Sequence, residues 1–158
     1  MQEAKPKVGD YWPGKGGVFI GTARDKEQQW NIFLAIAVGS VFYGQWGKFG
    51  RLIEGEFSVI DGQTNTQLIL ANDPEHPIAK PISQLTIDGH SDFYWPAQKE
   101  ENLIYINGQE HVEKRAHWSS TQYSARYAWS QGFGVGGQYV DYKSLTLAAR
   151  AVRRELVI

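Results

Sequence analysis

The stretch HWSSTQYSARYAWSQGF, residues 117–133, decides the fold more than any other part of the chain. Its second half alternates as a strand does: Trp129, Gln131 and Phe133 share one side, and the residues between them share the other. The glycine-rich segment at 134–137 predicts a turn, after which residues 138–143 return antiparallel. The late part of the chain is therefore predicted to form an antiparallel sheet.

Outward from this hairpin, further strands alternate with short helices. Asp61 or Thr64 before the apolar pair Leu68 and Ile69 is typical of a helix start. Further strands are predicted within residues 8–21 (two, around a turn), 29–37, 41–43, 87–95 (a turn and a short strand) and 147–152. The predicted helices begin near residue 61, run over 77–85, and run from 96 to a stop at 107–108.

Length and composition agree with one folded domain. The chain has 158 residues, 42% of them hydrophobic and 21% charged, which is typical of a soluble folded protein. Six Trp, eight Tyr and seven Phe among 17 Gly favour strands and turns. We expect an α+β fold, mostly antiparallel β with two or three short helices, over residues 8–158. Residues 1–7 are polar and predict a flexible or docking tail.

Charge and cysteine content exclude several classes of protein. A net charge of −1 provides no basic field, so no nucleic-acid partner is expected. The absence of cysteine excludes disulfides and thiolate metal sites. The N-terminus has no apolar core, so no signal peptide is expected, and the longest apolar run, residues 32–38, is too short for membrane insertion. We expect synthesis in a cytoplasm, with release by lysis or on a particle.

No metal or cofactor is predicted. Residues 14–17 and 132–137 are glycine-rich but join strands, whereas phosphate binding needs a loop that enters a helix. His111, Glu113 and His117 fit no standard zinc spacing, and no acidic pair has a recognisable calcium spacing.

No catalytic constellation is evident either. Ser119, Ser120 and Thr121 offer hydroxyl nucleophiles, but no Gly-x-Ser-x-Gly elbow surrounds them and no His–Asp pair can be assigned to them. We therefore expect a binding module rather than an enzyme.

The hairpin over residues 123–143 is the predicted recognition surface. Tyrosine with Ser and Gln is the composition of adaptable binding surfaces, since a rigid ring gives contact area at a low entropy cost. The alternative is that strand alternation turns about half of these tyrosines into the core. The candidate ligand-binding residues are Tyr123, Ser124, Arg126, Tyr127, Gln131, Gln138, Tyr139, Asp141 and Tyr142.

Three segments together resemble a known family. They are DGHSDFYWPAQKE at 88–100, the stretch at 117–133 and RAVRR at 150–154. The chain resembles the domain named after the C-terminus of the Legionella collagen-like adhesin, whose members are common in bacteriophage and prophage proteins. DGQTNT at 61–66 is similar to the phage subgroup.

The resemblance implies a C-type-lectin-like fold, in which the first and last strands pair. It also implies that the segment beginning at Trp118 is scaffold: Trp118 would fill the core, and the hydroxyls after it would close a turn. For Arg150 and Arg153, a ligand clamp and a structural role as a stacking or ion-pairing group both remain open. The expected scaffold residues are Trp118, Ser119, Ser120, Trp129, Arg150 and Arg153.

The chain departs from the family at the third predicted helix. Trp95-Pro96-Ala97 stands where the family usually has Leu-Pro-Thr, and loss of the threonine cap would cost about 1 kcal/mol. Glu101 stands where a leucine is usual, and the region between Asn107 and His117 is short.

Three hypotheses about function follow. The first is a phage or prophage virion protein of the tail fibre, tail tip or baseplate that binds a host saccharide or protein and is homo-oligomeric on the particle. The second is a structural decoration or adaptor protein that contacts other virion proteins, which the short tail favours because a receptor-binding tip normally needs a shaft. The third is an enzyme of the sulfatase-activating-like fold, which the lack of cysteine disfavours.

Overall fold

The computed structural model describes residues 5–157. The protein is a mixed α+β fold in which mostly antiparallel strands form two sheets, with three short helices among the described residues. This agrees with the predicted class. The strands are β1 (Tyr11–Trp12), β2 (Gly17–Asp25), β3 (Gln28–Leu34), β4 (Val41–Gly44), β5 (Ala116–Gln122), β6 (Tyr127–Gly132), β7 (Gln138–Tyr142), β8 (Leu147–Arg150) and β9 (Val152–Leu156). The helices are α1 (Gly62–Asn72), α2 (Ala79–Ser83) and α3 (Gln98–Gly108), followed by a 3₁₀ turn at Gln109–His111.

The first sheet contains strands from both ends of the described chain. Its order is β1-β2-β3-β9, so β1 and β9 lie at opposite edges, and every neighbouring pair is antiparallel. The start of β2 packs so closely on β3 that a Cβ on Gly17 would lie 2.1 Å from the Leu34 carbonyl oxygen. Only glycine fits there. Of the predicted tail, residues 1–4 lie outside the described part, and the Lys5 ammonium lies 4.7 Å from the centre of the Phe19 ring.

The second sheet has the order β4-β8-β5-β6-β7 and carries the predicted hairpin at one edge. The prediction of a single closing strand over 147–152 is wrong. The chain forms β8 in this sheet, crosses at Ala151, and continues as β9 in the other sheet. Ala151 is fully buried, and its carbonyl accepts a hydrogen bond from Ala35 N–H just beyond β3, so the crossing is fixed in the core.

Two other predicted strands are shorter in the structure. The strand predicted over 29–37 ends at Leu34. Residues 87–95 form only isolated bridges, Ile87 with His90 and Tyr94 with Val152, because Asp88 adopts a φ of +54° in a tight turn. The second helix spans five residues rather than the nine predicted, with Pro81 in its first turn.

The predicted start of α1 is confirmed. The Asp61 side chain accepts hydrogen bonds from Thr64 N–H at 3.1 Å and from the Thr64 hydroxyl at 2.9 Å. A Cβ on Gly62 would lie 2.2 Å from the Trp95 carbonyl oxygen. Glycine at the first helical position therefore lets α1 pack directly on the segment that leads into α3.

The start of α3 is held by two groups other than the side chain of its N-cap residue. Ala97 is the N-cap residue and has no side-chain acceptor. Instead, Glu100 Oε1 accepts from Ala97 N–H at 3.1 Å, and Thr121 Oγ1 on β5 accepts from Gln98 N–H at 3.0 Å. The first turn of α3 is thus held by a neighbouring strand.

Two hydrophobic clusters fill the interior. One joins the second sheet to α1 and α2 through Trp46, Trp95 and Trp118, and the other joins the first sheet to α3 through Trp30 and Ile104. Within residues 5–157 no helix combines the length and the apolar character needed to cross a bilayer.

Candidate functional site

A set of aromatic side chains lies at the surface of the β6–β7 hairpin, three of them exposed and two, Tyr127 and Trp129, partly buried. We call it the aromatic strip and define it as Phe49, Tyr123, Tyr127, Trp129 and Tyr142. The ring centres of Tyr123 and Trp129 are 5.9 Å apart, those of Tyr127 and Tyr142 are 4.7 Å apart, and those of Tyr142 and Phe49 are 6.2 Å apart. These separations are those of packed aromatic rings, and they form two groups, Tyr123 with Trp129 and Tyr127 with Tyr142 and Phe49. Tyr127 and Trp129 lie two residues apart on one face of β6, so the two groups are neighbours on the hairpin.

Strand register explains why these rings share a side. Tyr127 pairs with Tyr142 and Trp129 pairs with Val140, so all four side chains emerge from one face of the hairpin. The exposed fractions of Tyr123, Tyr142 and Phe49 are 61%, 50% and 49%. Rings this exposed and adjacent are unusual on a monomer and indicate a contact surface.

Polar groups border the strip. The guanidinium of Arg126 lies 6.0 Å from the centre of the Phe49 ring. Interaction with the Tyr142 hydroxyl raises the pKa of the Tyr127 hydroxyl, so Tyr127 stays protonated near neutral pH. Ser124 shapes the turn beneath these groups, since its hydroxyl oxygen accepts from the N–H groups of Arg126 and Tyr127 at 3.3 and 3.2 Å.

A buried lysine holds the Phe49 loop against the hairpin. Lys143 Nζ donates to the Arg51 carbonyl at 2.9 Å and to Gln122 Oε1 at 2.7 Å, and lies 4.7 Å from the Trp46 ring centre. The Gln122 side chain also forms two hydrogen bonds with the backbone of Ile53, since it donates to the Ile53 carbonyl and accepts from the Ile53 N–H, both at 3.0 Å. Burial lowers the pKa of Lys143 to about 8.

Two predicted binding residues lie under α3 instead. Gln131 is fully buried. Gln138 Nε2 donates to the Gln98 carbonyl at 2.6 Å and to Gln131 Oε1 at 3.0 Å. These amides join α3 to the sheet, so they do not belong to the exposed surface.

Two more lie on the opposite face of the hairpin. Tyr139 pairs with Ser130, and Asp141 accepts a hydrogen bond from the Ser130 hydroxyl at 2.6 Å. Tyr139 covers Gly137, where an added Cβ would lie 2.3 Å from the tyrosine hydroxyl. The structure therefore divides the predicted surface, and only Tyr123, Arg126, Tyr127 and Tyr142 lie together, with Ser124 beneath them.

The expected scaffold residues on β5 are buried, whereas Trp129 on β6 is only partly buried. Trp118 is fully buried and donates to the Gly44 carbonyl at 3.0 Å. Ser119 and Ser120 do not close a turn; they lie buried within β5, where Ser119 donates to the Trp129 carbonyl at 2.8 Å and Ser120 accepts from Asn65 Nδ2 at 3.1 Å. Trp129 joins the aromatic strip.

Both candidate clamp arginines contact protein groups. Arg150 donates to Glu113 Oε1 and to the carbonyls of Ala35 and His111. Arg153 holds Asp92 through two nitrogens, at 2.7 and 3.2 Å, and donates to Glu155 at 2.9 Å.

Two neighbouring carboxyl groups on α3 are buried in different ways. Glu100 accepts from Gly62 N–H at 2.7 Å, from Ala97 N–H and from the Tyr94 hydroxyl, and burial raises its pKa to about 7. Neither oxygen of Glu101 has a hydrogen-bond partner within residues 5–157, and burial raises the pKa of Glu101 well above 4.5. Such a group is costly unless it is protonated.

The histidine cluster considered for metal binding is not assembled. His117 Nε2 lies 3.3 Å from Glu113, whereas His111 Nε2 bonds to the Gly9 carbonyl at 3.0 Å. Burial lowers the pKa of His117. Over residues 5–157, three or more His, Asp or Glu side chains nowhere meet in a group that could hold a metal ion.

Sequence reasoning missed Phe49 and its supports, Gln122 and Lys143. The alternation of aromatics and glycines over 41–50 indicates exposed rings, but nothing in it places Phe49 beside a hairpin 90 residues away. No protein-family model matches the chain, and no curated protein matches it in sequence.

Proposed function

We propose that this protein is a non-catalytic component of a phage or prophage particle, located at the tail fibre, tail tip or baseplate, that binds a saccharide on the host surface through the aromatic strip. The observation that carries the proposal is the grouping of five rings on one side of the hairpin, three of them about half exposed or more. The resemblance to the adhesin-type domain supplies the biological setting.

The chemistry of the strip suits a sugar chain. The C–H faces of a pyranose ring are apolar and pack on aromatic rings, while its hydroxyls need hydrogen-bond partners at the rim. A tyrosine side chain offers both an aromatic face and a hydrogen-bonding hydroxyl, and the strip has three of them, Tyr123, Tyr127 and Tyr142. Arg126 adds a cation at the edge, which would favour saccharides with acidic substituents.

The strand arrangement agrees only in part with a C-type-lectin-like fold. In that fold the first and last strands pair, whereas here the last strand, β9, pairs with β3 over Trp30–Leu34 and shares a sheet with β1, which pairs with β2. The hairpin with the strip lies in the other sheet, away from this pairing. In this proposal the first sheet closes the domain and the second presents the ligand surface.

The hairpin offers a matched pair of tyrosines for the test. Tyr142 and Tyr139 lie on the same strand with exposed fractions of 50% and 49%, but on opposite faces. Tyr142→Ala should weaken binding to immobilised capsular polysaccharides and lipopolysaccharides about tenfold, or about 1.4 kcal/mol. Tyr139→Ala should leave binding unchanged. Equal losses in the two variants, with both folded, would contradict recognition by the strip.

A second candidate is a structural protein of the particle that buries the strip against another virion protein. Leu52 is 49% exposed in the loop that carries Phe49, which extends the strip with an aliphatic group. Aromatic and aliphatic side chains together are typical of the core of a protein interface. A reconstruction of the particle separates the two: a strip covered by a neighbouring subunit favours the structural role, and a strip facing solvent favours recognition.

A further inference from the structure

A cavity of about 280 Å³ lies between α1 and the segment that precedes α3. Gln63, Gln67 and Leu70 form its α1 wall, and Ser91 and Phe93 face them. These α1 residues lie on the opposite side of the helix from Asn65, which bonds to β5. Gln67 is exposed, so the cavity opens to solvent. No residue of the aromatic strip lines it.

The lining carries no free charge. Among residues 5–157, no lysine, arginine or histidine lines it, and the only acidic group that does is Asp92. Both Asp92 oxygens are bound by Arg153, which holds the pKa of Asp92 below its ordinary value despite partial burial. An ionic ligand would therefore enter without a counter-charge.

The available groups both donate and accept hydrogen bonds. The amides of Gln63 and Gln67 bond to no other group among residues 5–157, whereas the hydroxyl of Thr66 behind them is already used by the Gly62 carbonyl and Trp95 N–H. Covering the two amides with a purely apolar ligand would leave them unpaired, which is unfavourable.

We propose that this cavity binds one neutral sugar unit, with the Gln63 and Gln67 amides on its hydroxyls and Leu70 and Phe93 against its C–H face. Its volume lies just below the range of about 300–1,000 Å³ for ligand pockets, which fits a single ring and not a chain of them. The site is separate from the aromatic strip and does not depend on the proposed function. It gives the protein two saccharide-binding positions of different kinds.

Titration of the isotope-labelled full chain with methyl glycosides tests the site. Methyl α-glucoside, methyl α-mannoside, methyl β-galactoside and N-acetylglucosamine are each added to about 20 mM, because ligands of about 12 to 15 non-hydrogen atoms bind in the millimolar range. At least one should shift the Gln63 and Gln67 side-chain amide signals saturably. Gln67→Ala should weaken that binding at least fivefold, and so should Gln63→Ala.

The control is Gln28→Ala, which removes an exposed glutamine at the start of β3 and should leave the affinity unchanged. The proposal is overturned if none of the four sugars shifts the two amides, if Gln67→Ala binds as wild type does, or if glucuronate or inorganic phosphate binds there more tightly. Shifts confined to the Tyr127 and Tyr142 signals would overturn this site while supporting the aromatic strip.

Discussion

One face of the β6–β7 hairpin is divided between two environments. At one end α3 covers it: Gln138 is bonded to Gln98, and Phe133 packs between Tyr105 and His117, with ring centres 6.1 and 4.6 Å away. At the other end the same face carries the aromatic strip and is open. The same alternation therefore produces core residues and surface residues along a single strand.

The difference between the two halves depends on where α3 begins. The helix begins at Gln98, whose side-chain amide donates to Gln138, the strand partner of Gln131. The next pair along the hairpin is Trp129 with Val140. Thr121 and Glu100 fix that starting point. The position of one helix end thus decides which aromatic rings are available to a ligand.

The largest expected difference between the halves is in stability. Phe133→Ala empties a site that is 1% exposed and should lower the free energy of unfolding by about 4 kcal/mol. Trp129→Ala removes a larger ring that is only partly buried, and it should cost less, about 2 kcal/mol. Urea unfolding of the two variants measures both values.

For saccharide binding, Trp129→Ala should have a larger effect than Phe133→Ala, which is the reverse of their effects on stability. Trp129→Ala should weaken binding, whereas Phe133→Ala, assayed well below its unfolding midpoint, should leave it near the wild-type value. A Trp129 variant that unfolds as readily as the Phe133 variant would mean that the strip is part of the core, and the contrast between the halves would fail.

The next effect concerns Glu101 in the covered half. Because the folded-state pKa of Glu101 is raised above 4.5, its neutral form stabilises the fold at low pH, and this contribution is lost as the pH rises through the folded value. Glu101→Leu should therefore stabilise the protein by about 2 kcal/mol at pH 8, with a smaller gain at pH 5. Urea unfolding at both pH values tests the sign.

Glu101→Gln distinguishes the stability cost of burying a charge from the cost of burying a polar group. It cannot ionise, so its stability relative to wild type should also rise with pH, but its buried amide should keep part of the cost. Glu100 remains in both variants and retains its own pH dependence, since its pKa is about 7. A gain from Glu101→Leu that is the same at pH 5 and pH 8 would show that the pKa of Glu101 is not raised in the folded protein, because stability depends on pH only where the folded and unfolded states bind different numbers of protons.

Much of the fold could be predicted because local signals agree with it. The Asp61 cap, the stop at Gly108 and the turn over 134–137 are short-range features, and each lies where predicted. The closing strand was mispredicted for the opposite reason. Residues 147–156 form one extended segment locally, and only the packing of Ala151 against Ala35 divides it between two sheets.

The candidate site could be predicted only in part. Composition predicted the hairpin as the candidate surface, and alternation predicted that about half of its tyrosines would turn into the core. Tyr139 does point to the opposite face, but it is 49% exposed there. Alternation could not indicate that α3 would cover Gln131, or that Lys143 would bring Phe49 into the strip. Those facts depend on contacts between residues far apart in the chain, which local patterns do not encode.

The smallest expected effect is at the boundary between the halves. Thr121→Val keeps the shape of the side chain but leaves Gln98 N–H without its acceptor, which should cost about 1 kcal/mol of stability. Hydrogen exchange of the Gln98 amide should accelerate, whereas exchange in the middle of α3, near Ile104, should change only as much as global stability does. Thr121→Ser retains the hydroxyl and should protect Gln98 as wild type does. If Thr121→Val leaves that amide protected, the Glu100 carboxylate alone fixes the start of α3, and it is Glu100 that sets the limit between covered and open rings.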